Sequence, residues 1–156
     1  MLEVQLPQQL TNLVESWAVG NDCEIPTNHH ITVLFVGRNR DESVSKRMIQ
    51  HADLLFSKMD FPQNLMLQGR LEMFGYRYDH LVAIIKPDEH LSRMRNYLKL
   101  QFPETSDSFE FTPHITLAKA SKNRTPPRVI RSEESIPVTH LVVKYGEYYL
   151  RYATRP

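Results

Sequence analysis

His30-Ile31-Thr32-Val33 and His114-Ile115-Thr116-Leu117 are two nearly identical tetrapeptides set far apart in a chain of 156 residues. In a β-strand, residues i and i+2 project from one face and i+1 and i+3 from the other. Each tetrapeptide therefore sets an imidazole and a hydroxyl side by side on one face. The opposite face carries Ile31 and Val33 in one copy and Ile115 and Leu117 in the other. This is the pattern of a strand with helices packed behind it. Two such strands lying side by side would place two histidines and two threonines in one pocket.

The chain around the two copies reads as alternating strands and helices. Leu2 to Leu6 is a short strand. Pro7 suits the first position of a helix in which Leu10, Leu13, Val14 and Trp17 recur before Gly20. Turn residues between Gly20 and Asn28 lead into a buried strand over Ile31 to Val36, closed by Gly37. Asp41 or Ser43 can cap a second helix, with Val44, Met48, Ala52, Leu55 and Phe56 on one face and Pro62 beyond its end. Leu65 to Tyr76 and Leu81 to Ile85 form a hairpin. Pro87 and Asp88 open a third helix, with Leu91, Met94, Leu98 and Leu100 as core candidates. Thr105 to Ser108 is a polar loop, His114 to Ala118 a strand, and Ala120 to Glu134 a loop or short helix. Val138, Leu141 and Val143, then Tyr148 to Tyr152, make a last hairpin through Gly146. These elements amount to an α+β domain of roughly seven strands and three helices over residues 1–156.

Bulk properties narrow the function classes. A formal net charge of +1 argues against a grip on long duplex nucleic acid through many phosphates. The single cysteine, Cys23, has no internal disulfide partner, no apolar run is long enough to span a bilayer, and MLEVQLPQQL is not built as a signal peptide. The expectation is a cytoplasmic protein, monomeric by default, whose partner is a small nucleotide or short oligonucleotide.

Paired histidines suit phosphodiester hydrolysis because imidazole titrates near pH 6.5 and serves as base or acid. One of His30 and His114 can take a proton while the other gives one. Thr32 and Thr116 can donate hydrogen bonds to the non-bridging phosphate oxygens, holding phosphorus in line and stabilising developing charge. A metal site is the rival reading, but the chain has no His-Glu-x-x-His, no cysteine pair and no carboxylate inside either motif, so no metal and no cofactor are expected. His29, His51, His80, His90 and His140 are read as surface or half-buried residues, with His29 on the face of Ile31 and opposite His30. Arg38, Arg40, Arg70, Lys122, Arg124 and Arg151 are read mainly as a solvated face. Lys119 stands apart, because it shares a strand with the second motif. Phe74, Tyr76 and Tyr148 are candidates for stacking on a nucleobase, although tyrosines also alternate naturally in half-exposed strands.

His30-Ile31-Thr32-Val33-Leu34-Phe35-Val36-Gly37 and Pro113-His114-Ile115-Thr116-Leu117-Ala118-Lys119 resemble the two signature motifs of the 2H phosphoesterase superfamily. The opening strand, Leu6-Pro7 and the following helix are also similar to that family's usual start. The resemblance implies a pseudo-two-fold fold in which two antiparallel sheet lobes, with helices outside, share a central groove. It implies His30 and His114 as the acid–base pair and Thr32, Thr116 and Lys119 as phosphate ligands. Lys119 stands where many members carry arginine, which replaces a bidentate fork by a point charge. Family substrates include 2′,3′-cyclic phosphates, cyclic nucleotides, 2′,5′-linked oligoadenylates and RNA ends, and some members destroy nucleotide defence signals. The expected activity is hydrolysis of such a phosphodiester. RNA end-joining by the reverse chemistry and a nucleotide-sequestering module without turnover are the alternatives.

Overall fold

The computed structural model describes residues 1–37, 41–58, 60–105, 110–128 and 134–154. Arg38 and Arg40, most of the polar loop at 105–108 and part of the segment 120–134 lie outside the described residues. Within them the order is β1 (Leu2–Val4), α1 (Gln8–Asn21), β2 (His30–Ile31), α2 (Glu42–Lys58), β3 (Asn64–Phe74), β4 (His80–Ile85), α3 (Glu89–Gln101), β5 (His114–Lys119), β6 (Ser135–Tyr145) and β7 (Tyr148–Ala153). The α+β class, the three helices and both hairpins are as the sequence suggests. All pairings are antiparallel and run in the order β1-β2-β5-β4-β3-β6-β7. An additional β1–β6 ladder closes this order on itself, so the two halves share one continuous sheet.

One face of the sheet meets the helices. Leu10 and Val14 of α1, Ala52 and Leu55 of α2, and Leu91 and Met94 of α3 join Ile31, Ile115, Leu117 and Leu141 in the main core. Helix ends differ in detail from the sequence pattern. Pro7 is the N-cap of α1 rather than its first residue, and the helix runs through Gly20 to Asn21 before Asp22 turns it off in the left-handed region at φ 52°. Asp88 caps α3 through a carboxylate that accepts from the Leu91 amide at 2.8 Å. Leu100, a core candidate, is 79% exposed, since it lies on the face of α3 opposite Leu91, whereas Phe102 just past the helix is buried. Arg95 takes a buried place on that helix instead.

The largest departure is β2. Its apolar pattern predicts a strand from Ile31 to Val36, yet ladder pairing stops at Ile31. The backbone acceptors beyond it are taken by side chains. Arg95 Nη1 donates to the Val33 carbonyl at 2.7 Å, and Thr105 Oγ1 to the Phe35 carbonyl at 2.6 Å. Burial drives the apolar run inward as expected, but the polar groups are satisfied from α3 and the segment after it rather than by a neighbouring strand.

Candidate active site

The two motifs meet directly. β2 pairs with β5 through Ile31 opposite Ile115, and both side chains are fully buried in the core. Continuing that antiparallel register one residue each way sets His30 across from Thr116 and Thr32 across from His114. Directly opposed residues share a face, so both imidazoles and both hydroxyls point away from the helices. The two histidines are diagonal neighbours, a relationship that sets residues about 7–8 Å apart, somewhat less at Cβ. That leaves room for a phosphate between their rings. The local two-fold passes between Ile31 and Ile115, which accounts for the matched sequences. The floor of this face is apolar. Val82 and Ile84 of β4 lie opposite Thr116 and His114, and Val142 lies on β6; all three are buried but stand outside the main core cluster.

Lys119 reaches the same face through an irregularity in β5. Val82 pairs with Thr116, but Leu81 pairs with Ala118, so β5 holds one more residue than β4 between these pairs. Such a bulge reverses the alternation of side chains. Leu117 and Ala118 are therefore both fully buried, and Lys119, exposed and opposite His80, returns to the side of His114 and Thr116. Without the bulge, strict alternation would send Lys119 toward the core.

Each histidine has its own environment. His114 Nδ1 lies 2.8 Å from the Thr112 carbonyl oxygen. A carbonyl only accepts, so Nδ1 carries the hydrogen and Nε2 is the atom presented to a ligand. The Phe74 ring packs edge-on against this imidazole at 5.1 Å between centroids. His30 is half-buried, and burial pushes its pKa down. The positive charges of the Met1 amino group, His29 and Lys144 add to that, against the opposing pull of the Glu3 carboxylate. His29 is also lowered by burial. His30 is thus held in its neutral form at neutral pH, with a free ring nitrogen available to accept a proton.

The three candidate stacking residues are not gathered in one place. Phe74 is beside His114, whereas Tyr76 stands fully exposed in the turn between β3 and β4. Tyr148 stacks on Tyr145 at 5.5 Å in the β6–β7 hairpin. Tyr145 and Tyr148 line an apolar cleft of about 950 Å³ that continues past Phe35, Met48 and Phe102 and reaches Thr32, while His30, His114 and Thr116 do not line it. Two residues were not anticipated from sequence. Arg95 braces the carbonyl next to Thr32, and Glu3 occupies the place across β1 from His30. A lone charged residue in an otherwise apolar strand or helix face was the available signal in both. Among the described residues no group of three or more His, Cys, Asp or Glu side chains is placed to hold a metal ion, and no helix is long and apolar enough to cross a membrane.

Comparison with solved structures places this architecture among known ones. LigT of E. coli in complex with 3′-AMP is 18% identical, with a TM-score of 0.57 over 99% of this chain and 93% of that one. TT0787 of Thermus thermophilus is 19% identical, with a TM-score of 0.59 over 99% and 93%. A further structure described as a phosphoesterase is 17% identical, with a TM-score of 0.55 over 99% and 94%. A sequence search of curated proteins gave no match. At these identities the structures show the fold, while the family follows from the sequence profile. That profile matches residues 26–143, which include both histidine–threonine strands and the bulge that carries Lys119, and the chain belongs to the 2′-5′ RNA ligase superfamily of 2H phosphoesterases.

Proposed function

We propose that the protein is a metal-independent phosphodiesterase that hydrolyses a cyclic nucleotide, a 2′,3′-cyclic phosphate or a short 2′,5′-linked oligonucleotide. The observation that carries this reading is the Ile31–Ile115 pairing, which supports two imidazoles and two hydroxyls on one exposed face. His30, held toward its neutral form, takes a proton from the attacking water. His114, as imidazolium with Nδ1–H anchored on Thr112, gives a proton from Nε2 to the departing ribose oxygen. The water oxygen forms a bond to phosphorus as the bond to the ribose oxygen breaks. One proton enters at His30 and one leaves from His114, and exchange with water restores both. Thr32 and Thr116 donate to the non-bridging oxygens, and Lys119 adds a positive charge from the same face. With a substrate of opposite polarity the two histidines exchange roles.

Phe74 beside His114 and the apolar cleft beyond Thr32 offer two places for a base, one on each side of the phosphate. Tyr148 would serve the second, and Tyr76 the outer edge of a longer substrate. LigT has been crystallised with 3′-AMP, ATP and NADP+, which supports a ligand of nucleotide or dinucleotide size. A nucleotide signal used in defence is one such substrate, and the cytoplasm the expected compartment. The test is turnover in EDTA of a panel containing 2′,3′-cyclic AMP, 2′,5′-oligoadenylate and 3′,3′-cyclic dinucleotides by wild type, His30→Ala and His114→Ala. Product in excess of protein, absent in both variants, is the expected result. Ligand bound stoichiometrically without product would replace this reading by a sequestering module.

A further inference from the structure

Glu3 is a buried acid in the middle of the sheet. Its strand runs between β2 and β6, where Glu3 lies opposite His30 on one side and His140 on the other. Its side chain is 11% exposed. Opposed residues in an antiparallel pair have Cβ atoms about 4.5–5.5 Å apart, so an unbalanced carboxylate here would draw a proton onto His30. The carboxylate is not unbalanced. Arg151 Nη2 donates to Glu3 Oε2 at 2.6 Å, while His140 Nδ1 stands 3.4 Å from the same oxygen and 3.0 Å from Thr139 Oγ1. Arg151 comes from β7, where the sequence suggested only a solvated cation, and it is 46% exposed.

We propose that Arg151 holds the Glu3 carboxylate in a charge-balanced pair, so that this carboxylate does not draw a proton onto His30 across the ladder. Both are positioning residues, since neither is among the groups assigned to the phosphate. The titratable and charged groups around His30 are Glu3 of β1 and the neighbouring Met1 amino group, whose own pKa burial lowers to about 5, the adjacent His29, His114 on β5, and His140 and Lys144 on β6. Among these, Glu3 alone is acidic. The surroundings therefore favour neutral His30 while Arg151 holds the carboxylate. If the guanidinium is removed, the same carboxylate faces His30 across the ladder, and protonation becomes easier.

The kinetic consequence rests on the acid–base reading of His30, but the pair itself is tested without turnover. The experiment is an NMR titration of all histidine rings in the full chain for wild type, Arg151→Gln, Arg151→Lys, Glu3→Gln and the Glu3→Gln/Arg151→Gln double variant. Arg151→Gln is expected to raise the His30 midpoint by about half a unit to one unit, and Glu3→Gln to lower it by a similar amount. Arg151→Lys and the double variant should stay near wild type. Opposite shifts are the signature that a merely structural contact would not give. Midpoints that move in the same direction, that stay within about 0.2 unit of wild type, or a rise confined to His140 would overturn the proposal. Arg151 is half-exposed, so its variants decide the matter even if Glu3→Gln fails to fold. Opposite shifts in a protein that turns nothing over would uphold the pair and reject the phosphodiesterase reading. Turnover with an unmoved His30 would do the reverse.

Discussion

Ile31 and Ile115 face each other across the β2–β5 ladder, each with no exposed surface. That contact sets the register which brings His30 opposite Thr116 and Thr32 opposite His114. A slip of one of these strands by one residue would turn its histidine and threonine into the core. Shortening Ile115 to alanine should leave a cavity at the local two-fold and cost about 2–5 kcal/mol in stability, read from the urea midpoint. Ile115→Val, which removes one methylene, should cost about 0.5–1.5 kcal/mol and keep the register. Equal midpoints for Ile115→Ala and wild type would contradict the central place given to this contact.

The acid–base assignment predicts losses that differ from those of the threonines. His30→Ala and His114→Ala should each lower kcat by about 10²–10⁴ with little change in thermal stability, because both rings are half-buried on the face away from the core. Thr116→Val should act mainly through the transition state and lower kcat more than it raises KM. Steady-state kinetics on whichever substrate is turned over checks this. A threonine variant that changes KM alone would assign Thr116 to uniform binding instead.

The motif residues were readable from sequence because a two-residue alternation is local. His30, Thr32, His114 and Thr116 need only the strand geometry, and their contact follows from the apolar residues between them. Lys119 was singled out because it shares a strand with the second motif, while its place at the phosphate came from family resemblance. By alternation it belongs with Ile115 and Leu117, and the bulge that reverses it depends on the partner strand β4. The early end of β2 was hidden for a similar reason, since Arg95 and Thr105 supply its hydrogen bonds from residues far along the chain. Glu3 gave only the signal of a lone charge in an apolar strand, because its partners lie in two neighbouring strands and a third beyond them.

Lys119 is exposed, and its contribution is accordingly electrostatic and screened. Lys119→Ala should weaken substrate binding about three- to ten-fold at low salt, with the difference shrinking as ionic strength rises. Lys119→Arg should retain or improve binding, because the guanidinium fork matches phosphate geometry. KM measured at two salt concentrations tests both statements. A salt-independent loss would mean that Lys119 acts through the β4–β5 ladder rather than through its charge.

Arg95 ties α3 to the segment that carries Thr32. It is 5% exposed, donates to the Val33 carbonyl at 2.7 Å and lies over the Phe111 ring at 4.4 Å. Replacing it with methionine keeps much of the apolar stem but leaves that carbonyl without its charged donor, at a cost of about 2–3 kcal/mol. Because the freed carbonyl adjoins Thr32, kcat should fall at temperatures where the variant is still fully folded. Denaturation and kinetics on the same preparation separate the two effects, and a destabilised variant with unchanged kcat would confine Arg95 to the fold.

Burial lowers the pKa of His29 and His30 in the folded protein and takes the Met1 amino group from 8.0 to about 5, and the sign of the effect on stability is the same for all three. A histidine with a depressed folded value binds fewer protons in the native than in the unfolded state, so stability rises with pH across the interval between the two values. As pH falls through the unfolded value near 6.5, the unfolded chain takes up protons first and the fold loses stability. The loss is complete once the pH is below the folded values. Thermal midpoints should therefore decline from pH 7.5 to 5.5. His29→Gln should flatten that decline and move the acid limb of kcat/KM, which belongs to His30, slightly to higher pH, because the neighbouring charge that lowers His30 is removed. A midpoint that is constant over this interval in wild type, or that rises toward low pH, would show that the two rings are solvated well enough to titrate as free imidazoles.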